Sequence, residues 1–304
     1  MFDTLLEKLQ NRSYITLETT PGHTPTLKPI IQKISELKLD QKVDGFSTTD
    51  NPLAKLKYNA IMAAFKLQEK FNKPVIATMS MRDRNKIALQ SDLLGANDFD
   101  VRAILALTGD NANISDQPNT KGVFEGDSTL LLDMIKCFNS GIDFAGKPFK
   151  QAPRPTYGFS VVNSFAKQDK TLIKKMTKKI DHGTVGIITQ PVYDIDNAKK
   201  MLDLHLQAKQ NSNNTQSQSQ LILGFFPITK LRTAQFLTAH VPGIHVPKIW
   251  LDKLHVASKV SLEEEFKVGF EMSKKLFDDI LKLHPKMHIM TANQFDLANE
   301  LLKK

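Results

Sequence analysis

The sequence predicts an α/β fold, a (β/α)8 TIM barrel forming a single domain with extra helices before the last strand, and three observations carry that expectation. Short apolar stretches alternate with segments of helical spacing eight times along 304 residues. No break in composition divides the chain, so residues 1–304 read as one barrel domain. The strand candidates end on polar residues, as they would where a barrel assembles its site at the carboxyl ends of its strands. A doubly wound open sheet is the alternative arrangement of the same elements.

An amphipathic helix opens the chain, residues 14–18 read as a strand, and 25–37 return to helical spacing. Strands over 44–49, 75–80 and 103–110 then alternate with helical segments 53–71 and 85–97. The stretch 103–110, AILALTGD, is a continuous apolar run closed by a Gly-Asp turn, which suits a strand covered on both faces. Helical 127–138 precedes strand 157–162, and helical 169–182 precedes strand 185–190. Helical 195–209 precedes strand 221–226, a long helical region 230–283 precedes strand 288–292, and a helix over 295–302 comes last.

These strands end at Glu18, Thr49, Ser80, Asp110, Asn163, Gln190, the backbone near Pro227, and Asn293. Each is also an ordinary turn former, so the case for a site rests on the set converging at one rim. Residues 111–126 follow the fourth strand on that side and read as a lid or cofactor-covering loop. The polar low-complexity segment 210–220 falls on the opposite face and reads as a disordered insertion without function.

With 41% hydrophobic and 24% charged residues, the composition is that of a globular protein. No apolar run approaches the ~20 residues of a membrane helix, and the amino terminus is not signal-like, so a cytoplasmic protein is expected. A single cysteine, Cys137, excludes an intrachain disulfide and any multi-cysteine metal site within the chain, and reads as a buried, inert thiol. The net charge of +9 owes much to helix-spaced lysines such as Lys174, Lys175, Lys178 and Lys179. Such lysines suit a solvated face, or an anionic small molecule or acidic partner; no zinc-finger or RNA-binding pattern accompanies them, so no nucleic acid partner is expected. Dinucleotide, Walker and nucleophile-elbow signatures are absent. His284 and His288 flank Pro285, which breaks the helix that would align them, and no metal site is expected.

Two carboxylates stand out. Glu18, at a rim with apolar neighbours, would have its pKa raised by desolvation, as a general acid requires near neutral pH; an ion pair with one of the many lysines is the competing explanation. Asp110 is either a site acid or the cap of a Gly-Asp-Asn turn.

Several ordered motifs resemble the methylenetetrahydrofolate reductase family: LETTP (17–21), ALTGD (106–110), KIDHG (179–183), ITQ (188–190) with Tyr193 and Asp194, and GFFP (224–227). RDRN (82–85), followed by LQS (89–91) and LG (94–95), adds a segment common in bacterial members. The resemblance spans nearly the whole chain. It implies a flavin-dependent barrel with non-covalent FAD that reduces 5,10-methylenetetrahydrofolate to 5-methyltetrahydrofolate, in one-carbon metabolism and methionine supply. Glu18 is then similar to the acid that protonates the folate, Asp110 to the acid near pterin and flavin, and Gln190 to a pterin hydrogen-bond partner. Thr49 resembles a flavin-contacting threonine, Gly109 falls within the same flavin-side motif, and Lys179 resembles a basic residue near the flavin phosphates.

Five positions depart from the family pattern. Thr78 stands where His is frequent, Thr108 where Arg precedes Gly-Asp, and Asn163 where Tyr follows the fifth strand, all on the cofactor side. On the substrate side, Leu231 replaces a stacking Phe and Gln294 an Arg. The lost aromatic plane leaves the reductant open among NADH, NADPH and a protein electron donor. A homo-oligomer is the family default. The alternatives are a barrel reductase for another pterin or one-carbon carrier, or a non-catalytic flavin- or folate-binding subunit.

Overall fold

A computed structural model describes residues 1–241 and 243–303. Helix α1 (Phe2–Asn11) comes first, and β1 (Tyr14–Thr19), α2 (Lys28–Glu36), β2 (Gly45–Thr48), α3 (Ala60–Phe71) and β3 (Val75–Ser80) follow. Next come α4 (Lys86–Asp98), β4 (Ala103–Leu107), α5 (Ser128–Asn139), β5 (Tyr157–Val162), α6 (Asp169–Asp181), β6 (Gly186–Pro191), α7 (Ile195–Gln210) and β7 (Gln220–Phe225). Helices α8 (Leu231–His240), α9 (Lys248–Ser258) and α10 (Leu262–Leu283) then intervene before β8 (Lys286–Ile289) and α11 (Phe295–Leu301). All eight strands are parallel and close in sequence order, β8 pairing with β1, so the fold is the TIM barrel that the alternation predicts.

Side chains alternate across each strand, and two cores result. In β4, Ile104 and Ala106 point outward to the helices, with Ala77 and Met79 of β3 and Leu17 of β1. Ala103 and Leu105 point inward, where they meet Ile76, Phe159, Ile188 and Ile222. Helix α1 lies across the amino-terminal end and plugs it with Phe2, Leu5 and Leu9 in that same inner cluster. Further up each strand the inward positions turn polar: Glu18, Thr78, Ser80, Gln190 and His288 succeed the apolar layer. A packed floor and a polar mouth follow from this gradient.

The long helical region is three helices. Gly243 takes a φ of +87°, Pro247 starts α9, and Ser261 starts α10 by accepting the Glu264 N–H at 3.0 Å. Ser261 and Glu264 also have capping-box spacing, which carried a boundary signal inside the run. Their satellite core joins Trp250, Leu254, Ile228 and Tyr193, and the Trp250 indole donates to the Tyr193 carbonyl at 2.9 Å.

Segment 210–220 departs from the expectation of disorder. Asp181, the last residue of α6, accepts from Ser212 Oγ at 2.6 Å and from the Asn213 N–H at 2.8 Å, which pins the segment beneath the barrel. Cys137 is half-buried on α5, not sealed. Among the described residues, no helix is long and apolar enough to cross a membrane.

Candidate functional site

A cavity of about 390 Å³ opens among the carboxyl ends of the strands, a size within the usual range of small-molecule sites. Leu105, Leu107, Val161, Ile188 and Met290 give it apolar walls. Glu18, Thr49, Thr78, Ser80, Thr108, Gly109, Asp110, Lys179 and Gln190, drawn from β1, β3 and β6, the loops after β2 and β4, and α6, bring its polar groups.

Glu18 is half-buried. Its carboxylate lies 3.9 Å from His288 Nε2, and His288 Nδ1 is 2.7 Å from Thr16 Oγ1. Ser47 Oγ approaches the same Nε2 at 3.5 Å. Both partners lie in the barrel interior on neighbouring strands, so an acid at the mouth is backed by an imidazole fixed from below. This sets a fixed imidazole behind a carboxyl group that opens on the cavity.

On the opposite side Asp110 is exposed, and its carboxylate accepts the Leu53 N–H at 2.7 Å. Leu53 and Ala54 are both left-handed (φ 57° and 55°), a conformation costly for side-chain-bearing residues and held here by the neighbouring loops. Ser115 Oγ donates to the Ala54 carbonyl at 2.7 Å, and Val123 N–H to the Arg82 carbonyl at 2.7 Å, so the β4–α5 loop is tied beside the mouth. Gly109 has a φ of +93°, and a Cβ there would fall 2.9 Å from Arg82 Cβ and 3.2 Å from Ser80 Cβ. Only glycine lets the β3 and β4 ends approach this closely.

Asp50 accepts from the Ser80 N–H at 2.9 Å and from Arg84 Nη1 at 2.6 Å, and Arg84 Nε reaches Asp92 at 2.7 Å. This buried network fixes the β2 and β3 ends. Burial pushes the Lys179 ammonium down to about 8, with Asp127 opposing that effect and Lys175 and Lys178 adding to it. Asp127 itself is engaged by Lys178 at 2.6 Å. Lys179 is thus a partly desolvated cation on the cavity wall, suited to an anionic group. Among the described residues, no cluster of ligating side chains fits a metal ion.

The sequence matches the methylenetetrahydrofolate reductase family over residues 2–304. The chain belongs to the methylenetetrahydrofolate reductase family. No curated protein matches it. Among solved structures, the fold resembles an uncharacterised protein from Clostridium thermocellum that binds two copies of 5-methyl-5,6,7,8-tetrahydrofolic acid. The two share 16% identity over 98% of this chain and 97% of that one, with a TM-score of 0.63. DmoA from Hyphomicrobium sulfonivorans is similar at 7% identity over 95% and 85% of the two chains, with a TM-score of 0.55. At these identities the likeness is one of fold.

Of the residues that the family resemblance singles out, three lie off this cavity. Asn163 packs against Gly243, where a Cβ would fall 2.3 Å from its amide. Leu231 is the half-buried first residue of α8, and its N–H bonds to Glu265 at 2.7 Å. Gln294 is exposed at the start of α11, beside a separate surface groove with Phe266 and Phe270. Asn293, expected at the rim, bridges to the Thr20 backbone through both amide atoms, at 2.8 and 2.6 Å, and holds the β1 and β8 loops together.

The cavity also holds residues that the strand-end reading omitted: Asp50, Arg82, Ser128, Thr189, His288 and Met290. For His288 and Met290 the signal was present, because apolar Met287 and Ile289 set the opposite parity and turn their neighbours inward. Thr189 reaches the wall at a register shift between β6 and β7, which alternation does not reveal.

Proposed function

We propose that this family member binds FAD in the cavity and reduces 5,10-methylenetetrahydrofolate to 5-methyltetrahydrofolate. The observation that carries the reading is the meeting of Glu18, backed by His288, with Gln190, Asp110 and Lys179 on one half-apolar cavity.

The residues present fit a flavin. Thr49 Oγ1 and Ser80 Oγ are buried without partners at the cavity wall, and such hydroxyls call for a polar ligand. Leu105, Leu107 and Val161 offer an apolar surface to a planar ring, and Lys179 offers a cation to phosphate. When bound, a flavin supplies the hydride-transfer chemistry that protein side chains lack.

The chain's own groups do the remainder. Glu18 delivers the proton that opens the folate's five-membered ring, and His288, held by Thr16, stands 3.9 Å behind that carboxyl. The Gln190 amide can both donate to and accept from a pterin edge. Asp110, fixed by the Leu53 amide, places negative charge at the far wall.

A second observation bears on the reductant. Among the described residues, no Phe, Tyr or Trp lines the cavity, so no aromatic plane is there to hold a nicotinamide. A protein electron donor therefore competes with NADH and NADPH, and the +9 charge suits an acidic one.

The purified protein, supplemented with FAD, should show a bound-flavin visible spectrum. Photoreduced anaerobically, it should reoxidise on mixing with methylenetetrahydrofolate. Absence of any bound flavin would overturn the reading, and bound flavin that the folate cannot reoxidise would leave the non-catalytic subunit in its place. Failure of both NADH and NADPH to reduce a competent flavoprotein would assign the electrons to a protein donor.

A further inference from the structure

Among the described residues Arg82 is the one guanidinium on the cavity wall, and the Glu18, His288, Gln190 and Lys179 groups leave it without a role. It follows β3 directly and is only 2% exposed. Asp83 grips one edge of it, taking Nε and Nη2 at 2.7 Å each, and Nη2 also donates to the Asn51 carbonyl at 3.0 Å. Among the described residues Nη1 has no protein partner. Asp83 does not line the cavity, so the pair presents its cationic end inward and keeps its anionic end behind.

Two further groups stand uncommitted in the same corner. Ser80 Oγ and Thr49 Oγ1 are buried without partners. Ser80 and Arg82 both crowd the space above Gly109, and the Asp50 carboxylate ties the Ser80 backbone to the β2 end. The ends of β2 and β3 thus bring a guanidinium edge and two hydroxyls to the cavity wall. Thr108, at the tip of this corner, is a neutral side chain, so Arg82 supplies the corner's fixed positive charge.

We propose that Arg82, with Ser80 and Thr49, recognises the electron-rich N–C=O edge of the flavin's pyrimidine ring and binds the reduced, anionic ring more tightly than the oxidised one. The assignment rests on the flavin reading above. A pterin carries a similar pyrimidinone edge. The flavin is favoured because Glu18, His288 and Gln190, which the folate's reacting atoms need, belong to β1, β8 and β6 and not to this corner.

An unpaired Asp83 would confound a single substitution, so the test compares Arg82→Gln with the double variant Arg82→Gln/Asp83→Asn, which removes the pair together. The readouts are the FAD dissociation constant by titration and the midpoint potential against a reference dye. Affinity for oxidised FAD should change less than that for reduced FAD. A tenfold selective loss for the reduced form would lower the two-electron potential by about 30 mV. Wild-type protein that binds no flavin would overturn the flavin reading and this assignment with it. Flavin bound at an unchanged potential in a folded double variant would overturn the Arg82 assignment alone, as would a variant in which only folate affinity falls.

Discussion

Single atoms decide most of what this cavity can do. Glu18 and Lys179 make the sharpest cases, because each has a group whose charge is tied to a task. For Glu18→Gln, flavin affinity should survive while reoxidation by folate slows by ~10² or more, the scale of general acid catalysis; stopped-flow traces of the photoreduced protein measure it, and an unaltered rate would remove Glu18 from the proton path. Lys179 is protonated at neutral pH and loses its charge as pH rises through about 8 in the free protein. Affinity for FAD should therefore fall from pH 7 to pH 9, since the phosphates stay ionised throughout, and Lys179→Met should flatten that profile. Gly109→Ala tests geometry instead of charge. Its φ of +93° and the 2.9 Å approach to Arg82 Cβ make any side chain a strain of about 1–3 kcal/mol, visible as a lower urea midpoint. Glu18, Asp110 and Gln190 were legible as residues because they fall at or just past the ends of apolar runs. Arg82 stood out only within the RDRN motif, without a role, and His288 faces inward where parity alone marks it.

Elements were read from the chain with more success than their edges, and the reason is the difference between periodicity and capping. Eight strand positions follow from apolar runs, whereas the division of 230–283 depends on Gly243, Pro247 and the Ser261 cap, which act over one turn each. Segment 210–220 shows the converse error, for its composition says coil while one carboxylate, Asp181, gives it a fixed seat. Helix α7 carries a feature that no pattern announces. His205 is buried on it with Nε2 unpartnered, and burial pushes it down to about 4, with Lys209, His284 and Lys286 acting in the same direction. In the unfolded chain this histidine takes its proton near pH ~6.5, so between about 6.5 and about 4 only the unfolded state holds it. Stability should thus fall as pH drops through that window, by an amount on the order of 3 kcal/mol from this group. Urea unfolding at pH 7 and pH 5 measures the fall, and His205→Gln should reduce it.

At the scale of the whole molecule, the barrel separates what holds the chain together from what the site does. Its inward positions form an apolar layer at the amino-terminal end, closed by Phe2, Leu5 and Leu9 of α1, and a polar layer at the other end. The alternation revealed this gradient in outline, but the plug was hidden, because an amphipathic first helix reads the same whether it lies outside a barrel or beneath it. Leu5 is 1% exposed, and Leu5→Ala should cost about 2–5 kcal/mol for lost contacts and the cavity left behind. The plug residues do not themselves line the site, which lies at the other end of the strands, and only the apolar floor with Leu105 and Ile188 joins the two; flavin affinity should therefore stay within roughly a factor of two of the parent. Urea unfolding and flavin titration on the same preparation test both halves of the claim. A loss of affinity that tracks the loss of stability would mean instead that the interior responds as one unit, and that the polar mouth depends on the tightness of its floor.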